Sequence, residues 1–519
     1  MSRINSNIPS LVAQSKLART QQELQVRLER LSTGLRINRG SDDPAGVIIA
    51  ERLRADIKGV EQGIKNGDRA SAVISTTEAA LNEVADLLNS IRSLLVESAN
   101  TGANSKEERD ANQQQIDSAI ESITRISNTA SFGGLKLLNG NQDYRLSGMA
   151  TSAIAHARIN NASFVGSPNL LIEVDVIASA QTGALYYSGN TSPVGVTLSA
   201  TTLEVMGPSG VQVITIPSGQ SLAQVVTAVN RLTSLTGVQA SLINDNPASG
   251  MVFQSAEFGS SSFVSVKRIG GPSNASGDYF QTFKLADGEP VPGGTPFPWA
   301  ALQGAGSLLS AKRDDGQNVQ ALVNGNLATG DGLRLKVNSG ALGMDILLTQ
   351  AYATRPDGSV SSFYVTGGGA LFQLGQDVNA LQQVNIGIPS ISASQIGGTM
   401  VSGVMNFLSA IKSGQTFSIS NSVTAGDFTA SNQILENAID EIAVLRGRLG
   451  AFERNVLQTN TRSLQSAFEN LSASVSVIRD ADFAVETSQL TRAQILANAG
   501  TSVLVLANQQ SQQVLQLLG

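Results

Sequence analysis

The chain has 519 residues, with 35 Lys+Arg against 41 Asp+Glu for a net charge of −6. No run of like charge could track a phosphate backbone, so nucleic acid is not an expected partner. There are no cysteines and one histidine, His156, which excludes disulfides, thiolate chemistry and Cys/His zinc sites.

His156 reads as a packing or surface residue. The length exceeds what one core supports, at roughly 100 to 200 residues per domain, and implies several packed units. The start, Met1-Ser2-Arg3-Ile4-Asn5-Ser6-Asn7, lacks the basic, apolar and cleavage regions of a secretory signal. Nowhere do about 18 apolar residues run together. A soluble chain is expected, with no membrane insertion and export without a cleaved signal peptide.

The first segment carries Leu17, Leu24 and Leu31 at a heptad spacing, with Leu28 and Leu35 beside them. This is the pattern of an amphipathic helix with a coiled-coil-like seam, ending near Gly34. Ser41-Asp42-Asp43-Pro44 then supplies an acid for a helix cap and a proline for the first helical position. The helix that starts there keeps a heptad series through Leu53, Val60, Gly67, Ile74, Leu81, Leu88 and Leu95, as a long bundle rod would. The pattern breaks over Asn100-Thr101-Gly102-Ala103-Asn104. It resumes with Ile116, Ile120 and Ile123 on a shorter helix expected to fold back antiparallel, and Phe132-Gly133-Gly134 closes the helical region.

The middle, from about Asn139 to Thr424, is rich in Gly, Ser, Thr and Val and reads as short strands and turns, among them Leu171 to Ile177, Val211 to Ile216, Leu333 to Val337 and Ser361 to Val365. One helix interrupts it, with Ser221 as cap and Leu222, Val225, Val226, Val229 and Leu232 at helical spacing. A β-α-β module over about 203–269 is expected.

Toward the other end Leu435, Ile442, Leu449 and Val456 form a heptad series, with Ala438, Leu445 and Phe452 as its partner. Leu464, Leu471 and Ile478 continue it after a one-residue phase slip. This is the rod's missing partner. The last helix, from about Ala484 to Leu518, sets Leu496, Val503 and Leu517 in one register and Ala499 and Leu506 in another, with Val505, Leu515 and Leu518 outside both. One partner helix cannot cover so much apolar surface. Because ordering costs about 1 to 2 kcal/mol per residue, this helix is expected to order as neighbours bury it.

Arg36-Ile37-Asn38-Arg39-Gly40-Ser41-Asp42-Asp43-Pro44-Ala45-Gly46 near one end, and Ile478-Arg479-Asp480-Ala481-Asp482-Phe483-Ala484 near the other, resemble the two signatures of the bacterial flagellins. The stretch from Arg92 to Asn100, and Ser131-Phe132-Gly133-Gly134-Leu135-Lys136-Leu137-Leu138, are also similar to that family, so the likeness covers roughly the first 180 and last 110 residues. The segment from Val211 to Ile269 resembles a small insert module of flagellins and hook-associated proteins.

The resemblance implies a multi-domain α + β protein, in which N- and C-terminal segments form a long helical coiled-coil bundle and β-rich outer domains are inserted between them. It assigns 1–44 to an N-terminal inner helical layer and 45–180 to rod helices plus a β-hairpin region. Residues 181–400 become a variable β-rich outer region, 401–482 the returning rod helix, and 483–519 the C-terminal inner helix. The implied function is a structural subunit that polymerises into the flagellar filament, extracellular, with itself as main partner. Hook-associated junction and cap proteins, the export apparatus and its chaperone are further implied partners.

On this reading Leu17, Leu24, Leu28, Leu31, Leu35, Leu496, Val503, Leu506 and Leu517 serve self-assembly. Leu53, Val60, Ile74, Leu81, Leu88, Leu95, Leu435, Ile442, Leu449 and Val456 form the rod core, and Asp42, Asp43, Pro44, Arg479, Asp480, Asp482 and Phe483 carry the signatures. The last helix has no charge after Arg492 and many amides, of which Gln509, Gln510 and Gln513 are candidates to line an export channel. Neutral amides hold water without gripping a passing chain; the alternative is a solvated coiled-coil face. Arg92, Leu94 and Val96 match the patch that some flagellins present to an animal innate immune receptor, whereas Ser90 and Gln115 stand where recognised forms carry charge.

A hook-filament junction protein is the nearest alternative, and a surface adhesin or an enzyme-bearing insert the more distant ones. A zinc-protease insert needs a His-Glu-x-x-His pair that one histidine cannot supply. Asp314, Asp315, Asp331 and Asp345 read as turn formers and Gly367-Gly368-Gly369 as a turn. No cofactor, metal or catalytic residue is expected.

Overall fold

In the computed structural model, helices α1 (Ile8–Thr33), α2 (Pro44–Ala99) and α3 (Lys106–Thr129) precede a β-rich middle containing α4 (Leu222–Asn230). Helices α5 (Thr429–Phe452), α6 (Gln458–Arg479) and α7 (Phe483–Gln516) follow it. The structure describes residues 7–516 except 163, 165–168, 189–194, 198, 272–279, 287–296, 340–341, 356–358 and 402. The chain divides into two compact units, one of Met1–Ser71, Gln373–Gln383 and Phe452–Gly519, the other of Ala72–Phe372 and Val384–Ala451.

In the first unit α1 begins at Asn7, whose side chain accepts from the Ser10 amide at 3.1 Å, and ends at Gly34 with φ 73°, the left-handed cap that glycine adopts without strain. It lies along α7. Ala13 on α1 and Glu486, Ala493 and Ala507 on α7 are buried in this seam, while Leu17, Leu24 and Leu31 are half-buried. Small residues set the approach: a Cβ added at Gly500 would stand 3.2 Å from Leu17 Cδ1.

The one-residue phase slip has a structural cause. Between α5 and α6 the helix continues through a π-helical turn over Glu453–Leu457, which takes in one extra residue. The buried stripe of α5 runs Leu435, Ile442, Leu449, and next reaches Leu457 rather than Val456. Val456 is only half-buried, a correction to the expected rod core, and Leu464, Leu471 and Ile478 continue from Leu457 at the restored spacing.

In the second unit Ile74, Leu81, Val84, Leu88, Ile91 and Leu95 of α2 are fully buried, as are Ile116, Ile120 and Ile123 of α3. Asn112 on α3 donates to Ser98 on α2 at 3.2 Å, and Arg92 on α2 meets Glu436 on α5 at 3.4 Å, so three helices share this core. Gly133 and Gly134, at φ 57° and 87°, turn the hairpin of Ser131–Phe132 and Leu135–Lys136.

Two pairs of antiparallel sheets form most of the middle, beside two-stranded ribbons after residue 369. The first pair joins Tyr144–Ser147 and Leu170–Ala178 with Gln320–Val323 and Ser361–Gly368 in one sheet, and Ile154–Ala162 with Arg334–Asn338 and Leu342–Leu348 in the other. Ile154, Ile172, Val174, Leu335, Ile346 and Phe363 fill the space between them. The expected boundary at residue 180 therefore cuts through a sheet: strands before it pair with strands more than a hundred residues later, which no local pattern encodes.

The expected β-α-β order is present within 203–269, as Gly210–Ile216, α4 and Val238–Leu242, but the strands of this stretch are divided between two sheets. Thr201–Gly207, Gly210–Ile216 and Phe263–Gly270 lie in one antiparallel sheet, while Val238–Leu242 and Met251–Ser255 join Ala184–Tyr187 and Thr282–Leu285 in another. Helix α4 begins with a capping box at Ser221 and Gln224 and packs Leu222, Val225 and Val229 against both sheets' core.

Candidate self-assembly site

The two signature segments meet. The Arg36 amide donates to the Arg479 carbonyl at 2.6 Å and the Ala481 amide to the Gly34 carbonyl at 2.9 Å, an antiparallel bridge centred on Leu35 and Asp480. The Arg36 guanidinium donates to the Ile478 carbonyl at 2.6 Å, and the Arg479 guanidinium lies 3.2 Å from Glu51. The end of α1 is thus tied to the end of α6.

Each signature acid has a distinct place. Asp42 Oδ2 accepts from the Arg39 and Asn38 amides at 2.9 and 3.0 Å; these bonds favour the charged form and lower its pKa, with the Arg39 bond the largest cause. Asp43 caps α2 by accepting from the Gly46 amide at 2.9 Å, one residue before Pro44 begins the helix. Asp482 caps α7 through the Ala484 and Val485 amides at 2.9 and 3.1 Å. Asp480 accepts from the Ser476 hydroxyl at 2.6 Å, and Phe483, the first residue of α7, is exposed.

Sequence reasoning missed Glu486. Its carboxylate takes Arg27 Nη1 at 2.9 and 3.0 Å and Arg30 Nη1 at 3.2 Å, inside the α1–α7 seam. The available signal was an acid in a helix otherwise almost uncharged.

Among the self-assembly residues, Leu17, Leu24, Leu31 and Leu35 are half-buried and Leu28 is exposed. On α7, Leu496, Val503 and Leu506 are 46%, 55% and 59% exposed, off the seam that Ala493 and Ala507 occupy. Leu517 lies outside the described residues. Gln509, Gln510 and Gln513 are exposed on α7. Leu53 is half-buried and Val60 buried in α2. Arg92 and Val96 are exposed, Leu94 half-buried.

Among the described residues no group of three or more His, Asp or Glu is placed to hold a metal ion, and no helix is long and apolar enough to cross a membrane. Asp314 accepts from the Ala184 amide at 2.8 Å and Asp345 lies 3.6 Å from Arg334, both within the sheets.

Three family models match: the bacterial flagellin N-terminal helical region over 4–143, the flagellin hook IN motif over 202–257, and the bacterial flagellin C-terminal helical region over 432–518. A flagellin of Escherichia coli (strain K12) is 30% identical over 540 residues, covering 99% of this chain and 99% of that one. The chain belongs to the flagellin family.

Other flagellins agree. That of Salmonella choleraesuis (strain SC-B67) is 29% identical over 530 residues, with 99% of each chain covered. That of Xenorhabdus nematophila is 44% identical over 137 residues, covering 26% of this chain and 44% of the relative. As a flagellin the chain is a structural subunit of the bacterial flagellar filament, polymerises with itself outside the cell and serves motility. The flagellar junction protein FlgL of Legionella pneumophila is only distantly similar, at 12% identity over 83% of this chain and 99% of that one with a TM-score of 0.27.

Proposed function

We propose that α1 and α7 together make the innermost layer of a tubular filament, that the rod helices make the next layer, and that the β-rich middle faces solvent. The observation that carries this is the exposure of Leu496, Val503 and Leu506 on a helix whose intrachain seam is already closed by small residues. Apolar area of that kind is stabilised by neighbours in a polymer, and a contact between unlike patches builds an open helix wherever its rotation does not close into a ring. Leu17, Leu24, Leu28, Leu31, Leu35 and Leu517 complete the proposed contact set.

Within this arrangement Gln509, Gln510 and Gln513 line the channel through which unfolded subunits pass. Hook-associated junction and cap proteins, the export apparatus and its chaperone are the further partners. Arg92, Leu94 and Val96 form the patch open to an innate receptor. No catalytic role is assigned to any residue.

The test is electron microscopy of purified protein after seeding, beside a variant lacking residues 496–519, with circular dichroism on both. Filaments and added helix only in the intact chain support the reading. Monomers in both, with fully folded ends, overturn it.

A further inference from the structure

Outside the helical seams, the first unit contains a loop that no signature motif touches. Residues 373–383 leave the β-rich middle and fold against α2 and α6. The Asn460 side chain donates to the Leu374 carbonyl at 2.9 Å, and Leu374 is buried. Glycines on α2 make the seat: a Cβ at Gly59 would meet Gln376 Cβ at 3.0 Å, and one at Gly63 would stand 3.2 Å from the Leu374 carbonyl oxygen.

The loop is also braced internally. The Leu374 amide donates to the Gln382 carbonyl at 3.0 Å, the Asp377 amide to Gln382 Oε1 at 2.6 Å, and the Gln382 amide to Asn379 Oδ1 at 3.0 Å. A segment held this closely could lay its other apolar side chains on the rod. It does the opposite: Val378 and Leu381 are 87% and 85% exposed, more than any other large apolar residue described.

The same unit carries a complementary recess. An open groove between α2 and α6 is lined by the apolar Ala55, Ile57 and Val475, with the bases Arg54 and Lys58 and the acids Glu51 and Asp480 around them. Among the described residues Arg54 and Lys58 make only exposed ion pairs, to Glu51 at 3.3 Å and Glu61 at 2.8 Å, which are weak enough to exchange for an arriving carboxylate. Asp377, beside Val378, supplies one.

We propose that the 373–383 loop is a self-recognition knob, seating Val378 and Leu381 of one copy in the α2–α6 groove of a second copy, with Asp377 at the Arg54 and Lys58 rim. This deepens the filament reading and rests on it. Knob and groove are different patches on one chain, so the contact is heterologous and, within a filament, repeats from copy to copy. Both lie on the same stretch of the α2 rod, which sets side-by-side packing with a small axial offset.

The chain has no cysteine, so paired variants report the contact directly. Leu381→Cys subunits are co-assembled with size-tagged Ala55→Cys subunits, oxidised and run on a non-reducing gel. A mixed disulfide dimer is expected from co-assembled filaments and not from the mixed monomers. Filaments that form without that dimer overturn the knob while leaving the filament reading in place. If the unaltered chain forms no filaments, both fail. As a second measurement, Val378→Asp with Leu381→Asp is expected to raise the critical concentration for assembly about tenfold or more with an unchanged monomer dichroism spectrum. An unchanged critical concentration overturns the knob.

Discussion

Glu486 takes Arg27 Nη1 with both carboxylate oxygens, at 2.9 and 3.0 Å, while only 7% of its side chain is exposed. Arg30 approaches the same carboxylate at 3.2 Å, so one acid holds two guanidinium groups between α1 and α7. Removing it leaves two cations facing each other in a partly dry seam. Glu486→Ala is expected to cost about 2–3 kcal/mol, below the range for a fully buried pair because both arginines keep some water. Arg30→Gln should cost less, because the two-oxygen contact to Arg27 survives. Urea unfolding followed by helical dichroism, with limited proteolysis of α1, compares them; equal losses would sink this account.

The π-helical turn makes a sharp contrast between adjacent residues. Leu457 is buried and Val456 half-buried, although the sequence spacing favours the latter. Leu457→Ala should cost about 2–4 kcal/mol through lost burial and a residual cavity, and Val456→Ala under about 1 kcal/mol. Thermal unfolding of the two variants decides it, and the reverse order would mean that the stripe runs through Val456.

Gly46 and Asp43 are coupled at the start of α2. A Cβ at Gly46 would stand 2.5 Å from Asp43 Oδ2 and 2.7 Å from Ile37 Cδ1, pushing the capping carboxylate away from the amide it accepts from. Asp43→Ala is expected to cost about 1 kcal/mol. Gly46→Ala should also destabilise, in spite of alanine's better helix propensity, because it displaces the same cap. Adding Gly46→Ala to Asp43→Ala should then cost less than it does alone, which a double-mutant cycle measures; strict additivity would exclude the coupling.

His156 supplies a pH dependence. Burial, and then the neighbouring Arg158 and Arg334 charges, hold its pKa down from 6.5 to about 4. A base whose folded pKa is depressed binds its proton more readily in the unfolded chain. Its neutral folded form therefore costs no stability above pH 6.5, and stability is lost progressively as pH falls from 6.5 toward 4, by roughly 2–3 kcal/mol. His156→Gln should flatten that part of the profile in urea titrations run at stepped pH. An unchanged slope between wild type and variant would assign the loss to other groups.

Much of the helical frame could be read directly. The Leu17, Leu24 and Leu31 spacing, the Asp43-Pro44 start and the Gly34 stop all act within a turn or two of helix, so their energetics are local. The cap at Ser221 is of the same kind. Glu486 was not legible as a clasp, because nothing in its neighbourhood names Arg27 as a partner across the length of the chain. The sheets were harder still: period-two alternation identifies Leu171 to Ile177 as a strand but carries no information on which strand lies beside it.

The amino-acid sequence by itself determined the kind of protein, through the two signature segments and the heptad series. It also located the irregularity in the last rod helix, as a one-residue break in phase. Only the tertiary structure decided that Leu457 takes the place of Val456, that α7 turns Ala493 and Ala507 toward α1, and that Leu496, Val503 and Leu506 stay outside. The reason is physical. Helix formation is set by neighbours within four residues, whereas the face a helix buries depends on how closely its partner can approach, and small residues permit that approach without leaving a periodic signal.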